Sequence, residues 1–135
     1  MSRKLLDANI IVRFLVSDDP NKANRVEKLL ANQNNKNILL DTVVAEIIWV
    51  LGSYYRFDKP SILESVRALI HYKSVICNRA LLESVLTIWG KYNISFIDAY
   101  LVSQAQMKKL EIYSYDVKLD RIQSVTRLEP WYTQC

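Results

Sequence analysis

Short apolar runs alternate along this chain with longer segments in which apolar residues recur every three or four positions. The first pattern is typical of strands and the second of amphipathic helices, so the alternation predicts an α/β chain. The short runs predict strands over residues 3–6, 37–40, 74–77, 111–115 and 123–127. The longer segments predict helices at 10–16, from Pro20, from Asp41 or Thr42 to about Tyr55, from Pro60, at Arg79–Lys91 and at 95–110.

Strands that are separated by helices usually pair in parallel and carry those helices on both faces of the sheet. The order therefore predicts a three-layer α/β fold with a parallel sheet of four to five strands. Local polar residues mark the helix starts, since Asp19 precedes Pro20 and Asn9 can cap the helix at 10–16. A length of 135 residues suits one core, so residues 1–135 are predicted to form a single domain.

Composition argues against several classes of protein. No apolar run approaches the roughly 18 residues of a membrane span, and no signal peptide precedes Asp7, so a cytoplasmic protein without a membrane partner is expected. Cys77 and Cys135 make no disulfide framework, and the single His71 is too few for a multi-histidine metal site. The two glycines form no phosphate-binding loop. A formal charge of +4 suits a polyanionic partner and a plain solvated surface equally.

The remaining candidates for chemistry are carboxylates. Asp7 and Asp116 each directly follow a predicted strand, while Glu46 and Asp98 lie near the starts of predicted helices. In parallel α/β sheets, sites form beyond the carboxyl ends of the strands, so these four acids are expected to converge on one cleft. Clustered carboxylates repel each other unless they are protonated or bind cations, and Mg²⁺ or Mn²⁺ suits such oxygen ligands.

Each of these acids also has an ordinary structural interpretation. Asp7 can cap the first helix, and Asp98 fits a capping box with Ser95. Glu46 fits the polar end of an amphipathic stripe, and Asp116 fits a turn. These interpretations are independent of one another, so they do not explain why all four acids fall at one edge of the predicted sheet.

Four sequence blocks carry a resemblance to a known family: LLDANIIVRFL at 5–15, VVAEIIWVL at 43–51, FIDAYLVSQA at 96–105 and SYDVKLDRI at 114–122. In their order and spacing these blocks resemble those of PIN-domain ribonucleases, and most closely those of the VapC-type toxins of toxin–antitoxin pairs. The resemblance implies a parallel five-stranded sheet flanked by helices and metal-dependent cleavage of RNA. It also implies a homodimer and an antitoxin protein whose C-terminal segment closes the cleft.

The resemblance assigns roles to the acids of this chain. The family's four acids correspond to Asp7, Glu46, Asp98 and Asp116. Asp7, Asp98 and Asp116 would hold Mg²⁺ or Mn²⁺, which activates a water for attack on the phosphodiester. Glu46 would orient or deprotonate that water, or would complete the metal shell.

The match to the family is not complete. Asn9 and Ser114 correspond to its small polar residues beside the first and last acids, and would hydrogen-bond those acids. Many relatives carry a second acid two residues after the last one, followed by an aromatic residue, where this chain has Lys118 and Leu119. Asp120 is shifted by two positions, which puts a second metal site in question.

Two other functions are compatible with the sequence. The chain would be a PIN-fold RNA-binding or interaction module if it had lost efficient catalysis, although all four acids are present. Haloacid-dehalogenase-like phosphatases also place an aspartate after their first strand. Those enzymes need a second Asp two residues later, where this chain has Asn9.

Aromatic and basic residues give weaker signals. Aromatic side chains can stack on bases, although at helical spacing they more often form core or interface. The candidates for stacking are Trp49, Trp89, Tyr54, Tyr55 and Tyr100.

The helices predicted over 43–55 and 60–72 carry more apolar surface than a small domain covers, which favours a dimer. Basic residues at 108, 109, 118, 121 and 127 form either a wall for RNA or a solvated face.

Overall fold

Pairs of helices separate the first four strands of this chain. The computed structural model describes residues 2–131, so Cys135 lies outside the described residues. The elements are β1 (Arg3–Leu5), α1 (Ala8–Val16), α2 (Pro20–Ala31), β2 (Lys36–Ile38), α3 (Asp41–Ser53), α4 (Lys59–Ile70), β3 (Val75–Ile76), α5 (Arg79–Lys91), α6 (Phe96–Lys108), β4 (Ile112–Tyr113), a 3₁₀ helix (Val117–Arg121) and β5 (Arg127–Leu128). The predicted order is present, with the 3₁₀ helix added before the last strand.

All strand pairs are parallel, which confirms the predicted α/β class. The strands form a three-stranded sheet in the order β1-β2-β3 and a two-stranded sheet of β4 and β5, rather than the one sheet predicted. In the register of the first sheet, Lys4 lies opposite Asn37, which lies opposite Val75. The strands are shorter than predicted, but ladder bonds continue beyond their ends: the Leu6 N–H donates to the Ile38 carbonyl at 2.9 Å.

The chain divides into two compact units, residues 1–83 and 84–135, and the division falls within α5. The first unit contains the three-stranded sheet and α1 to α4. The second contains α6, the 3₁₀ helix and the two-stranded sheet. The single domain predicted for residues 1–135 stays a prediction.

Aliphatic side chains fill the interior of the first unit. Helix α3 buries Val44, Ile47 and Leu51 completely, and α4 likewise buries Val66 and Ile70. This burial is the main force that holds the helices in place, since each fully buried aliphatic side chain contributes about 1.5–3 kcal/mol. Within the described residues, no helix is both long enough and apolar enough to cross a membrane.

Two predicted helix caps are wrong. Helix α1 begins at Ala8 with Asp7 as its N-cap, so Asn9 lies inside the helix rather than before it. Helix α3 begins at Asp41 and has Leu40 as its N-cap, so neither Asp41 nor Thr42 caps it. In both cases the chain turns from strand to helix within a few residues, so the cap position falls before the polar residue that sequence reasoning selects.

Candidate active site

Asp7 stands where β1 ends and α1 begins. Its backbone occupies the N-cap position in an extended conformation (φ −91°, ψ 149°), but its side chain accepts no capping hydrogen bond. The side chain is exposed to solvent. The capping interpretation of Asp7 therefore lacks the bond that would define it, and the carboxylate oxygens are available to a cation.

Glu46 lies on the exposed side of α3, between residues that face the interior. Ile47 and Ile48 are buried, whereas the Glu46 side chain is exposed and lines a cleft of about 210 Å³. Asn9 lines the same cleft. The structure thus brings Glu46 and Asn9 to one cleft, beside the helix start at Asp7.

Arg13 is a cleft residue that the sequence did not single out. It lies one helical turn after Asn9 in α1 and lines the cleft with Glu46. Its Nη1 is 3.3 Å from Oδ2 of Asp18, and about 40% of each side chain is exposed. An exposed ion pair of this kind contributes little to stability, so the guanidinium can reorient toward a negatively charged ligand. The i, i+4 spacing of Asn9 and Arg13 is the signal that would have found it.

Asp98 occupies the first turn of α6, where Ser95 provides the cap. The Ser95 hydroxyl accepts a hydrogen bond from the Asp98 N–H at 3.0 Å, with Ser95 in an extended conformation (φ −72°, ψ 162°). This is one half of the predicted capping box, and a negative charge in the first turn also complements the helix dipole. The Asp98 backbone N–H makes this cap bond, so the half-buried Asp98 carboxylate takes no part in it.

Asp116 follows β4 and caps the 3₁₀ helix. Its carboxylate accepts the N–H of Lys118 at 3.0 Å, and its own N–H donates to the Ser114 hydroxyl at 3.0 Å. Ser114 therefore contacts the backbone of Asp116 rather than its carboxylate, and holds the turn that carries the acid. One Asp116 carboxylate oxygen therefore accepts a hydrogen bond within the turn, in agreement with the turn interpretation.

Asp120, in the same unit, forms an ion pair with Arg127. Two nitrogens of Arg127 bind its two oxygens, with Nε 2.8 Å from Oδ1 and Nη2 3.2 Å from Oδ2. The side-chain hydrogen bond from Arg127 is the main cause that lowers the pKa of Asp120 below its ordinary value. The carboxylate that sequence reasoning considered as a substitute second acid is thus the counterion of an arginine.

The four predicted acids are shared equally between the two units: Asp7 and Glu46 belong to the first, Asp98 and Asp116 to the second. Among residues 2–131, no three His, Cys, Asp or Glu side chains are gathered as a metal site. The donor chemistry nevertheless fits a hard cation, because all four groups are carboxylates and those of Asp7 and Glu46 are exposed.

The aromatic residues predicted to stack on bases differ in how exposed they are to solvent. Trp89 is buried and packs edge-to-face against Phe96 with ring centroids 5.9 Å apart, so it is a core residue. Trp49 and Tyr54 instead expose 68% and 74% of their surface. His71 is exposed, with Nε2 2.6 Å from Oε1 of Glu83.

Comparison with known proteins gives a family match and remote likenesses to solved structures. The profile of the PIN domain family matches residues 4–125. No curated protein gives a match. A crystal structure of VapBC2 from Rickettsia felis, bound to a DNA fragment from their promoter, is 16% identical; the likeness covers 95% of this chain and 98% of that one, with a TM-score of 0.39. A toxin–antitoxin complex from Klebsiella pneumoniae is 18% identical and covers 93% and 96%, with a TM-score of 0.36.

Proposed function

Because this chain belongs to the PIN domain family, we propose that it is a divalent-metal-dependent endoribonuclease that hydrolyses phosphodiester bonds in RNA. The family match over residues 4–125 carries the proposal, since that range contains all four candidate acids. The exposed carboxylate of Asp7, free of any capping bond, supports it.

Asp7, Asp98 and Asp116 are the proposed ligands of Mg²⁺ or Mn²⁺. When bound, the metal lowers the pKa of a coordinated water and neutralises charge on the scissile phosphate. Asp7 is suited to this role because its oxygens bond to nothing at the helix start. Asp116 retains one carboxylate oxygen beyond the one that accepts the Lys118 N–H.

Glu46 is the proposed base that orients the attacking water or accepts its proton, or it completes the metal shell. Its carboxylate is exposed to the cleft, where water can reach it. Asn9 and Arg13 line the same cleft and supply an amide and a positive charge. The arginine would offset the repulsion between Glu46 and the RNA backbone.

Ser114 is proposed to position Asp116 through the backbone. The hydroxyl accepts the Asp116 N–H, and the Ser114 carbonyl accepts a hydrogen bond from Nη1 of Arg127 at 2.9 Å. Both bonds restrict the turn between β4 and the 3₁₀ helix. A restricted turn keeps the carboxylate in one place without using its oxygens.

The VapC-like sequence blocks also support a biological setting: we propose that the chain is the toxin of a toxin–antitoxin pair and binds an antitoxin protein. A homodimer and a cytoplasmic location belong to the same proposal. The exposed Trp49 on α3 supports an interface on that helix, because a large exposed aromatic side chain is a frequent interface anchor.

Cleavage of a total-RNA pool tests the proposed activity. The wild-type chain should cut RNA in Mg²⁺ and not in excess chelator, whereas Asp7→Asn, Glu46→Gln, Asp98→Asn and Asp116→Asn should each lose most of the activity. For Glu46→Gln the expected loss is about 10²–10⁴-fold if it acts as the base. Glu64→Gln, an exposed acid of α4, is the matched control and should remain active.

Three results would contradict this function. Undiminished cleavage in excess chelator would exclude a metal-dependent mechanism. RNA binding without cleavage by the folded wild-type chain would favour a PIN-fold binding module. Hydrolysis of a small phosphate ester without RNA cleavage would favour a phosphatase.

A further inference from the structure

Basic residues lie at the starts of all three strands of the first sheet. Arg3 begins β1 and Lys36 begins β2, and the register places these two residues directly opposite each other. Lys73 lies two residues before β3, and all three side chains are exposed. Because neighbouring parallel strands are about 4.8 Å apart, the three charges form one row, the basic edge (Arg3, Lys36 and Lys73), at the amino-terminal ends of the strands.

The basic edge has no acid beside it in the sequence. The segments that form it, residues 2–4, 32–37 and 71–75, contain no Asp or Glu. Within the described part of the chain, none of its three side chains forms an ion pair. Like charges on paired residues repel, so Arg3 opposite Lys36 is unfavourable for folding. An anionic partner would remove this repulsion.

The loop before β2 adds uncharged hydrogen-bonding groups to the same edge. The Asn34 N–H donates to Oδ1 of Asn32 at 3.0 Å, and the Asn35 side-chain amide donates to the Leu29 carbonyl at 3.0 Å. These bonds hold the loop in one conformation and leave the exposed Gln33 amide beside the basic edge. Basic and amide side chains are groups that proteins use to contact the phosphates and sugars of nucleic acids.

A groove of about 490 Å³ runs from Lys73 along β3, which is the outer strand of the first sheet. Arg79 lines this groove and donates from Nε to the Ile70 carbonyl at 2.6 Å and from Nη2 to the Val75 carbonyl at 3.1 Å. A protein strand that paired with β3 would need the Val75 carbonyl, which Arg79 already occupies. The groove is therefore poorly suited to an added strand, although the edge of the sheet is open.

Two cationic side chains remain available in the groove. Nη1 of Arg79 donates to no group in the part of the chain that the structure describes, and Lys73 has no partner there either. His71 also lines the groove, but its Nε2 lies 2.6 Å from Oε1 of Glu83, so that pair adds little net charge. The groove thus extends the positive charge of the basic edge around the side of the sheet.

We propose that the basic edge and this groove bind the phosphate backbone of an RNA segment that lies outside the cleaved one. Asp7 follows the other end of β1, about 13 Å from Arg3 at 3.3 Å per residue, so an RNA must extend beyond the candidate active site to reach both. The inference rests on the proposed ribonuclease function and adds a second contact with the substrate. Phosphate contacts carry no sequence information, so this surface favours extended or folded RNA over short oligonucleotides.

Anisotropy of fluorescently labelled RNA, measured in chelator at several salt concentrations, tests the proposal. A short RNA contains only the bond that the wild-type chain cuts and its nearest neighbours, and a long RNA extends the same sequence on both sides. Lys36→Gln/Lys73→Gln should weaken binding of the long RNA several-fold. The slope of log affinity against log salt should become shallower by about 1.4, because each phosphate contact to a single strand contributes about 0.7. Lys22→Gln/Arg25→Gln removes two exposed charges from α2 and should change both quantities much less.

The comparison of the two RNAs locates the contact. Lys36→Gln/Lys73→Gln should bind the short RNA like the wild-type chain, and in Mg²⁺ it should raise KM for the long RNA without lowering kcat. Equal losses on the short and the long RNA would overturn a contact outside the cleaved segment. Equal losses in the two double variants would show that only net charge matters and would also overturn it. Melting curves establish folding, and Lys36→Gln should not lower the melting temperature, because it removes the repulsion from Arg3.

Failure of the basic edge and failure of the proposed function give different results. If the wild-type chain cleaves RNA and Lys36→Gln/Lys73→Gln binds the long RNA as well as the wild type does, the basic edge is wrong and the nuclease stands. If the wild-type chain binds the long RNA without cutting it and the double variant loses that binding, the basic edge stands and the nuclease fails. If the wild-type chain neither binds nor cuts RNA, both proposals fail.

Discussion

Arg127 binds both carboxylate oxygens of Asp120, at 2.8 and 3.2 Å, and so connects β5 to the 3₁₀ helix. Its remaining nitrogen donates to the Ser114 carbonyl at 2.9 Å and to Glu129 at 2.6 Å. Only 13% of the arginine side chain is exposed. One guanidinium thus joins both ends of the segment that carries Asp116.

Replacing Arg127 should loosen this segment and lower the melting temperature of the chain. Arg127→Met removes all four hydrogen bonds and leaves the Ser114 carbonyl without this donor. Arg127→Lys should recover only part of the loss, because an ammonium group cannot bind two carboxylate oxygens and a carbonyl in a fixed plane. Thermal unfolding followed by circular dichroism measures the effect. Arg121→Met, a change at an exposed arginine of the same unit, should change the melting temperature much less.

Asp120→Asn should leave RNA cleavage within a few-fold of wild type, whereas Asp116→Asn should abolish most of it. Asp120 serves as the counterion of Arg127, so its charge is expected to matter for the melting temperature rather than for chemistry. Cleavage rates in saturating Mg²⁺ measure the difference between the two variants. A loss of activity in Asp120→Asn as large as that in Asp116→Asn, with unchanged stability, would show that Asp120 belongs to the site.

The caps of two helices should respond differently to mutation. Ser95→Ala removes the hydroxyl that accepts the Asp98 N–H, and should cost about 0.5–2 kcal/mol in the free energy of unfolding. Asp7→Asn should change the free energy of unfolding by less than about 0.5 kcal/mol, because the Asp7 side chain makes no cap bond. Urea unfolding of both variants measures these values. A large loss in Asp7→Asn would show that Asp7 is a structural residue.

Asp58, the N-cap of α4, should make stability depend on pH in the acidic range. Hydrogen bonds from the hydroxyl and the N–H of Ser61 lower the pKa of Asp58 below its ordinary value of 3.8. The ionised form is therefore favoured in the folded state. Its contribution to stability is complete above the ordinary pKa and disappears as the pH falls through the folded-state pKa.

The pH prediction is checked with Asp58→Asn, which keeps a capping side chain but does not titrate. The wild-type chain should be more stable than this variant at pH 7, and the difference should shrink below pH 3.8. Urea unfolding at pH 7, 4 and 3 measures it. Glu64→Gln removes one negative charge from the same helix and controls for net charge. A difference that does not change with pH would contradict the role of Asp58.

Much of the fold could be predicted because local signals and tertiary structure agree. Asp19 followed by Pro20 marks a helix start, and in the structure Asp19 accepts the Lys22 N–H at 3.3 Å. Caps after strands were predicted less well. At Asn9 and Thr42 a polar side chain suggested the cap, but the sheet dictates where the chain turns, and the helix begins earlier. The division of the strands into a three-stranded and a two-stranded sheet depends on tertiary contacts, which periodicity does not encode.

The candidate site could likewise be predicted only in part. The positions of Asp7 after β1 and Glu46 in α3 follow from the alternation of strands and helices, and the structure has them there. The local bonds of each acid could not be predicted, because they depend on whether a neighbouring backbone N–H faces the carboxylate. Asp116 has such a bond and Asp7 has none. The ion pair between Asp120 and Arg127 also could not be predicted from the sequence, because it depends on the pairing of β4 with β5.

The parallel pairing of β1 with β2 has a consequence for how the chain is made. Arg3 pairs with Lys36 and Asn37 with Val75, so each strand meets its partner only across two intervening helices. Such non-local pairing is slow, because a long segment must be ordered before the strands gain their bonds. Because synthesis runs from the N-terminus to the C-terminus, β1 is made before β2, and the bonds between them form only after residue 38 has left the ribosome. Asp7 directly follows β1, so its native backbone setting is complete only after β2 has been made.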